Sequence, residues 1–262
     1  MLKRLPLYQK VLIQLFLIVF IGIWLLPLYF LIARSFSMGG VGNYLAVLSM
    51  PLFPTFYINS LIIALSVLIV SLILVVFAGF AFSKMRFPLK NMLFLLTLVG
   101  LMIPPAALIV PLFQLMIGLG WLNTHLSVIA PSIALGLPFA LLLTRVAVDD
   151  IPNDLFEAAD LDGCTDFQKL KHVVFPLITP VLSTISVFSF LHSWNEYLLP
   201  LIFMKDQSMY TVTLSTSFFK GEYGADLGKI FAALVLIVVP VVIFYTFAQR
   251  YLQKGLVAGA VK

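Results

Sequence analysis

Glu196 is an acidic side chain set inside a long apolar run, with Trp194, Asn195 and Tyr197 beside it. A carboxylate at hydrocarbon depth is unfavourable and normally faces a cavity or a partner. A carboxylate, an amide and two aromatic rings together are suited to stacking on a sugar and hydrogen-bonding it. The cluster is therefore a candidate part of a solute pathway or gate. Hydrogen bonding between helices and an interfacial position remain open for it. Asn59 is a further pathway candidate, although Asn59 and Gln114 both suit interhelical hydrogen bonds better than solute ligation. Pro104-Pro105 should break or kink the run that contains it, which marks either a transport pathway or a packing kink.

Catalytic chemistry finds no support. Gly224-Ala225-Asp226-Leu227-Gly228-Lys229-Ile230 superficially resembles a phosphate loop, but it lacks the spacing and the Ser or Thr after Lys. His125, His172 and His192 lie on separate segments without metal-ligand spacing. There is no nucleophile motif, so the sequence predicts no catalytic residue, no metal site and no cofactor on this chain.

A second kind of chemistry sits in the acidic residues. The first 148 positions contain none, and seven of the eleven fall between Asp149 and Asp166. In this stretch Asp154 and Glu157 have the spacing of a capping box opening a helix. Gly163 sits where a left-handed cap would close it. Thr165 and Gln168 form a second box, and the following segment reaches Phe175 before Pro176. Residues 149–176 are thus expected to be a helix, a glycine bend and another helix. Leu155, Phe156 and Ala159 give the first helix an apolar face. So short a helix is unstable alone, so that face packs either on the chain's own helix ends or on a partner.

The elements that must position these residues follow from composition. Of 262 residues, 62% are hydrophobic and 10% charged, with a mean hydropathy of +1.11, too little charge for the surface of a soluble domain. Five stretches (11–33, 35–83, 91–144, 173–195 and 230–249) contain no Asp, Glu, Lys or Arg. A membrane span needs roughly 20 apolar residues. Gly39 to Pro54 reads as an irregular loop, and Gly118 to His125 as a turn. The expected fold is all-α and polytopic, a single transmembrane domain over 1–262. Its six spans lie near 11–33, 57–81, 91–117, 126–147, 177–203 and 229–248. With both termini inside, twelve basic residues are cytoplasmic and four (Arg34, Lys205, Lys220 and Lys229) are outside, which satisfies the positive-inside rule. The apolar run after Lys10 is too long for a signal peptide and reads as a retained helix. Cys164, the single cysteine, forms no disulfide.

At residues 149–176 the sequence resembles the permease subunits of bacterial ABC importers. Glu157-Ala158-Ala159, Gly163 and Phe175-Pro176 match their EAA motif. Phe175 departs mildly from the usual Leu, as does Cys164 from a frequent Ala. The resemblance extends to carbohydrate importers of the maltose type through Asn59-Ser60-Leu61, Ala78-Gly79-Phe80-Ala81-Phe82, Ile103-Pro104-Pro105, Leu119-Gly120-Trp121-Leu122-Asn123-Thr124, Trp194-Asn195-Glu196-Tyr197 and Gly255 to Lys262. It is nearest the shorter, six-helix permease of the pair.

The resemblance implies a coupling helix, carried by Asp154, Leu155, Phe156, Glu157, Ala158, Ala159, Gly163 and Pro176, that docks on an ATPase. It implies a C-terminal tail, with Gly259 and Lys262, that reaches the ATPases. The expected partners are a second homologous permease, two ATP-binding subunits that hold ATP and Mg, and an extracytoplasmic solute-binding protein. The expected cargo is a sugar or oligosaccharide, with glycerol phosphate as an alternative, and the expected place is the bacterial cytoplasmic membrane. The rival from another class is an ion-driven carrier, for which Glu196 is the sole acidic candidate.

Overall fold

The computed structural model describes residues 6–221 and 224–260. Among the described residues five helices are long and apolar enough to cross a membrane: Tyr8–Ser35, Phe53–Lys84, Leu126–Asp149, Asp166–Trp194 and Leu227–Gln249. A bent pair, Lys90–Met102 and Pro105–Gly118, makes a sixth span if counted as one. The run expected as one helix over 91–117 is therefore two, α4 (Lys90–Val99) and α5 (Ile109–Gly118), bent by 97°. Pro104 and Pro105 sit in the break, where each lacks the N–H that would continue the ladder.

Contacts divide the chain into two compact units, one made of the residues up to Pro51 with Thr216–Val238 and the other of Leu52–Ser215 with Val239 onward. The first unit holds α1 (Leu7–Ser35), α2 (Val41–Leu48) and the first part of α11 (Leu227–Ala260). A two-residue antiparallel ladder, β1 (Lys220–Gly221) with β2 (Gly224–Ala225), is the only β-structure among the described residues. The stretch from Gly39 to Pro54, expected to be irregular, contains α2. The buried Asn43 anchors it, donating to Ser35 O at 2.8 Å and Ser37 O at 2.9 Å. Gly228 is required there, since a Cβ would stand 2.6 Å from Asn43 Nδ2.

The second unit is built on α3 (Phe53–Lys84), which packs most extensively on α6 (Leu126–Asp149) and next on α9 (Phe175–Trp194). Its buried positions, among them Phe56, Ile63, Val67, Ser71 and Val75, recur every three or four residues, as one helical face requires. Gly79 allows a close approach to α6: a Cβ there would lie 2.5 Å from Thr144 Cγ2. Small residues serve this purpose where helices cross in lipid.

Between α6 and α9 the chain forms α7 (Asn153–Leu161), a bend, α8 (Asp166–Lys169) and a five-residue π segment, Leu170–Val174. After α9 the helix stops at Trp194, and a separate α10 (Leu198–Phe203) follows. The span expected over 177–203 is thus interrupted at Asn195–Tyr197. From Phe175 to Trp194 α9 has 20 residues, about 30 Å at 1.5 Å per residue, so the interruption and the 149–176 loop lie at opposite ends of this unit.

Candidate functional site

The 149–176 loop is held by its own chain at several points. Phe156 is 9% exposed and stacks on Phe80 of α3 at 6.5 Å between ring centroids. Lys84, also of α3, stands 4.6 Å over the Phe156 ring, and its Nζ donates to Ile151 O at 3.1 Å and Asn153 Oδ1 at 3.0 Å. Ser83 Oγ donates to Asp149 Oδ1, while Arg145 pairs with Asp149 at 3.5 Å. Of the apolar face expected for α7, Phe156 and Ala159 therefore pack inward on the chain's own helix ends, whereas Leu155 is exposed. Lys84 was not singled out in the sequence. A lysine in the last turn of a span is the signal that could have found it, since its stem follows apolar surface while its head seeks carbonyls.

Phe156 and Ala159 are buried, whereas Asp154, Leu155, Glu157, Ala158, Gly163 and Pro176 are exposed. Leu161, at the end of α7, is 90% exposed. Asp154 does not cap α7: the cap position is Pro152, with no side-chain hydrogen bond. With Pro152 at the cap the helix starts two residues earlier, which moves Asp154 into the first turn, where its charge still opposes the positive end of the dipole. Gly163 has φ +72°, in the left-handed region. The second box forms: Thr165 Oγ1 accepts from Gln168 N, and Gln168 Oε1 accepts from Thr165 N. A polar concavity of about 540 Å³ opens beside α7, lined by Lys84, Arg86, Glu157, Asp160 and Lys169.

At the far end, the structure separates the four residues expected to act together. Trp194 is 1% exposed and lies between Phe190 and Tyr57, with ring centroids at 5.7 Å and 6.0 Å. Asn195 and Tyr197 are exposed and Glu196 half-buried. Glu196 is not within a helix: its Oε1 accepts from Leu198 N at 2.9 Å and Leu199 N at 3.1 Å, capping α10. A carboxylate at a helix N-terminus satisfies donors that would otherwise be orphaned. Asn195, Glu196 and Tyr197 line an open concavity of about 490 Å³ that does not include Trp194.

Asn59 is committed to structure. Its Nδ2 donates to Ser208 O at 2.8 Å and Tyr210 O at 3.0 Å, and its Oδ1 lies 3.0 Å from His125 Nε2. With the amide so used, His125 must carry its proton on Nε2. Burial pushes the His125 pKa below its usual value. Asn123, not foreseen as a functional position, accepts on Oδ1 from Lys205 N and Asp206 N, both at 2.9 Å. Its φ is +60°, which asparagine tolerates; the readable signal was an asparagine in the turn after Gly118 and Gly120. Gln114 is exposed, with no partner among the described residues. Lys262 lies outside the described residues, and Gly259 is described only as part of the α11 backbone.

Residues 75–257 match the family described as binding-protein-dependent transport system inner membrane component. The arabinooligosaccharides transport system permease protein AraQ of Halalkalibacterium halodurans is 36% identical over 80% of this chain and 75% of its own length. The trehalose/maltose transport system permease protein MalG of Thermococcus litoralis is 33% identical over 84% of this chain and 80% of its own. A chain in the crystal structure of a bacterial ABC transporter involved in the import of the acidic polysaccharide alginate superposes with a TM-score of 0.81. The match covers 93% of this chain and 96% of that one at 23% identity, which establishes the fold. An apolar helical bundle, a built loop between its long helices and these matches lead to one conclusion: the chain belongs to the family of binding-protein-dependent transport system inner membrane components, as the membrane permease of an ABC importer and not itself an enzyme.

Proposed function

We propose that this permease carries a neutral sugar or oligosaccharide and is driven by ATP hydrolysed on other chains. It pairs with a second homologous permease, two ATP-binding subunits that hold ATP and Mg, and an extracytoplasmic solute-binding protein. It lies in the bacterial cytoplasmic membrane with both termini and the 149–176 loop on the cytoplasmic side, as the basic residues favour. The observation that carries the reading is the two-sided build of α7. Its inner face is fastened to α3 through Phe156 and Lys84, while Glu157 and Leu161 face outward. A helix fastened on one side and bare on the other can receive a partner and pass its displacement inward. The carbohydrate follows from relatives named for arabinooligosaccharides, diacetylchitobiose and trehalose/maltose.

In this mechanism ATP binding closes the ATPase pair, the loop moves with it, and α6 and α9 open the cavity toward the binding protein. Solute shifts the inward–outward equilibrium only by binding the two states unequally. Co-purification tests the docking. The wild type should retain an ATPase subunit in mild detergent, and a Glu157→Lys, Leu161→Asp double variant should lose it while keeping the second permease. Both substituted residues are exposed, so the fold is spared. If neither form holds an ATPase, the coupling assignment fails and an ion-driven carrier becomes the better description. Stimulation of ATP hydrolysis by a binding protein loaded with glycerol phosphate, and by none loaded with sugar, would overturn the carbohydrate.

A further inference from the structure

Ser132 of α6 is 1% exposed, and its Oγ has no hydrogen-bond partner among the described residues. The other buried hydroxyls of α6 and α9 behave differently. Ser127 donates to Thr124 O at 2.7 Å, Thr144 to Ala140 O at 2.8 Å and Ser193 to Ser189 O at 2.8 Å. A buried hydroxyl is ordinarily paired, so one left alone needs a reason. Ser132 lines a half-open cavity of about 270 Å³ bounded by α3, the break at Pro105, α6 and α9. Ser71, Ser189 and His192 also line it, as do the rings of Phe139 and Phe188, which meet edge to face at 6.1 Å. None of its lining residues is Asp, Glu, Lys or Arg.

We propose that this cavity is a subsite for a neutral saccharide ring on the transport pathway. Ser132 Oγ is the polar anchor, Ser71, Ser189 and His192 are further hydroxyl partners, and Phe139 and Phe188 form the apolar face. The chemistry matches in three respects. Sugar hydroxyls both donate and accept, as serine and neutral imidazole do. Aromatic edges and faces suit the C–H side of a pyranose. The absence of a formal charge disfavours a phosphorylated solute, which would need a cation to offset its desolvation. The volume lies just below the range of drug-sized pockets, which suits one ring rather than a chain of them. The cavity shares Phe188 and His192 with the open concavity that holds Asn195, Glu196 and Tyr197. Of the residues expected from the sequence, Asn195, Glu196 and Tyr197 thus stand beside it, and the further contacts lie on α3 and α6.

This inference rests on the carbohydrate reading above, and the experiment separates the two. The assembled transporter, reconstituted in vesicles with its binding protein, is given maltose, arabinobiose, diacetylchitobiose and glycerol 3-phosphate as probes. If the wild type takes up none of the sugars, the proposed function fails first. Given a transported sugar, Ser132→Ala should lower uptake per ATP hydrolysed roughly three- to tenfold, the weight of one neutral hydrogen bond. Its thermal midpoint should not fall, because the hydroxyl has no partner in the protein to lose. Gly136→Val is the second variant. Gly136 lines the cavity, and a Cβ there meets nothing within 4 Å, so the valine methyls occupy the space meant for the sugar. It should block uptake more strongly while the complex still assembles. Unchanged uptake per ATP in both variants would overturn the subsite. A loss of uptake that merely tracks a loss of assembly would overturn it too, because Ser132 would then be a packing residue.

Discussion

Replacing Phe156 by alanine measures how firmly α7 is fastened to its own chain. Truncating a buried Phe costs about 3–5 kcal/mol. Phe156 is at the edge of the core at 9% exposure, so about 3 kcal/mol is the apt figure. Loss of the Lys84 contact, with Nζ 4.6 Å from the ring, adds roughly 0.5–1 kcal/mol. A nine-residue helix has little stability apart from its packing, so this loss falls on local opening rather than on global unfolding. Three kcal/mol corresponds to roughly a 150-fold rise in the opened population. Hydrogen exchange reads it directly, because the Asp162, Gly163 and Cys164 amides donate to Ala158 O, Asp160 O and Ala159 O. Exchange of a 153–164 peptide should accelerate by about two orders of magnitude while the middle of α3 stays protected, and Phe156→Leu should restore most of the protection. Unchanged exchange in Phe156→Ala would refute the claim that this ring is the fastening.

Three other outcomes are expected. Gly163→Val meets no neighbour but forces a β-branched residue to φ +72°, at about 1–2 kcal/mol or more; insertion should persist while ATP hydrolysis becomes uncoupled from transport. Normal transport by that variant would remove the mechanical role of the bend. Asn59→Ala leaves the Ser208 and Tyr210 carbonyls without their donor, a loss of about 2–3 kcal/mol that should appear as a lower thermal midpoint and faster proteolysis near residue 208. Because burial lowers the His125 pKa below 6.5, the folded state disfavours the charged ring. Its contribution is fully present above pH 6.5 and is lost as pH falls below that value. Thermal midpoints should therefore decline between pH 7.5 and 5, and His125→Gln should flatten the decline.

Most of the bundle was legible in the sequence because apolar length and absent charge are one-dimensional properties. What escaped was three-dimensional. The residues after Glu196 remain apolar through Phe203, so hydropathy runs on where the helix stops, and only the two amide donors to Glu196 Oε1 reveal the break. Trp194 and Glu196 are two positions apart, about 200° around a helix, so sequence neighbours could not share a site as the motif suggested. Asp154 was misplaced as a cap because Pro152 began the helix first, whereas Gly163 and the Thr165 box carry strictly local signals and were read correctly. Ser132 gave no signal at all. Its interest comes from a missing partner, which only coordinates reveal.

The π segment at Leu170–Val174 has a genetic consequence. A π turn spends one residue more than the α-helix on the same rotation. Loss of a single codon in that stretch would return the ladder to α-register and leave the faces of α9 where they are. The same deletion further along α9 would turn every later residue by about 100°. The segment is therefore the place where this helix can gain or lose one residue without exchanging what Ser189 and His192 face.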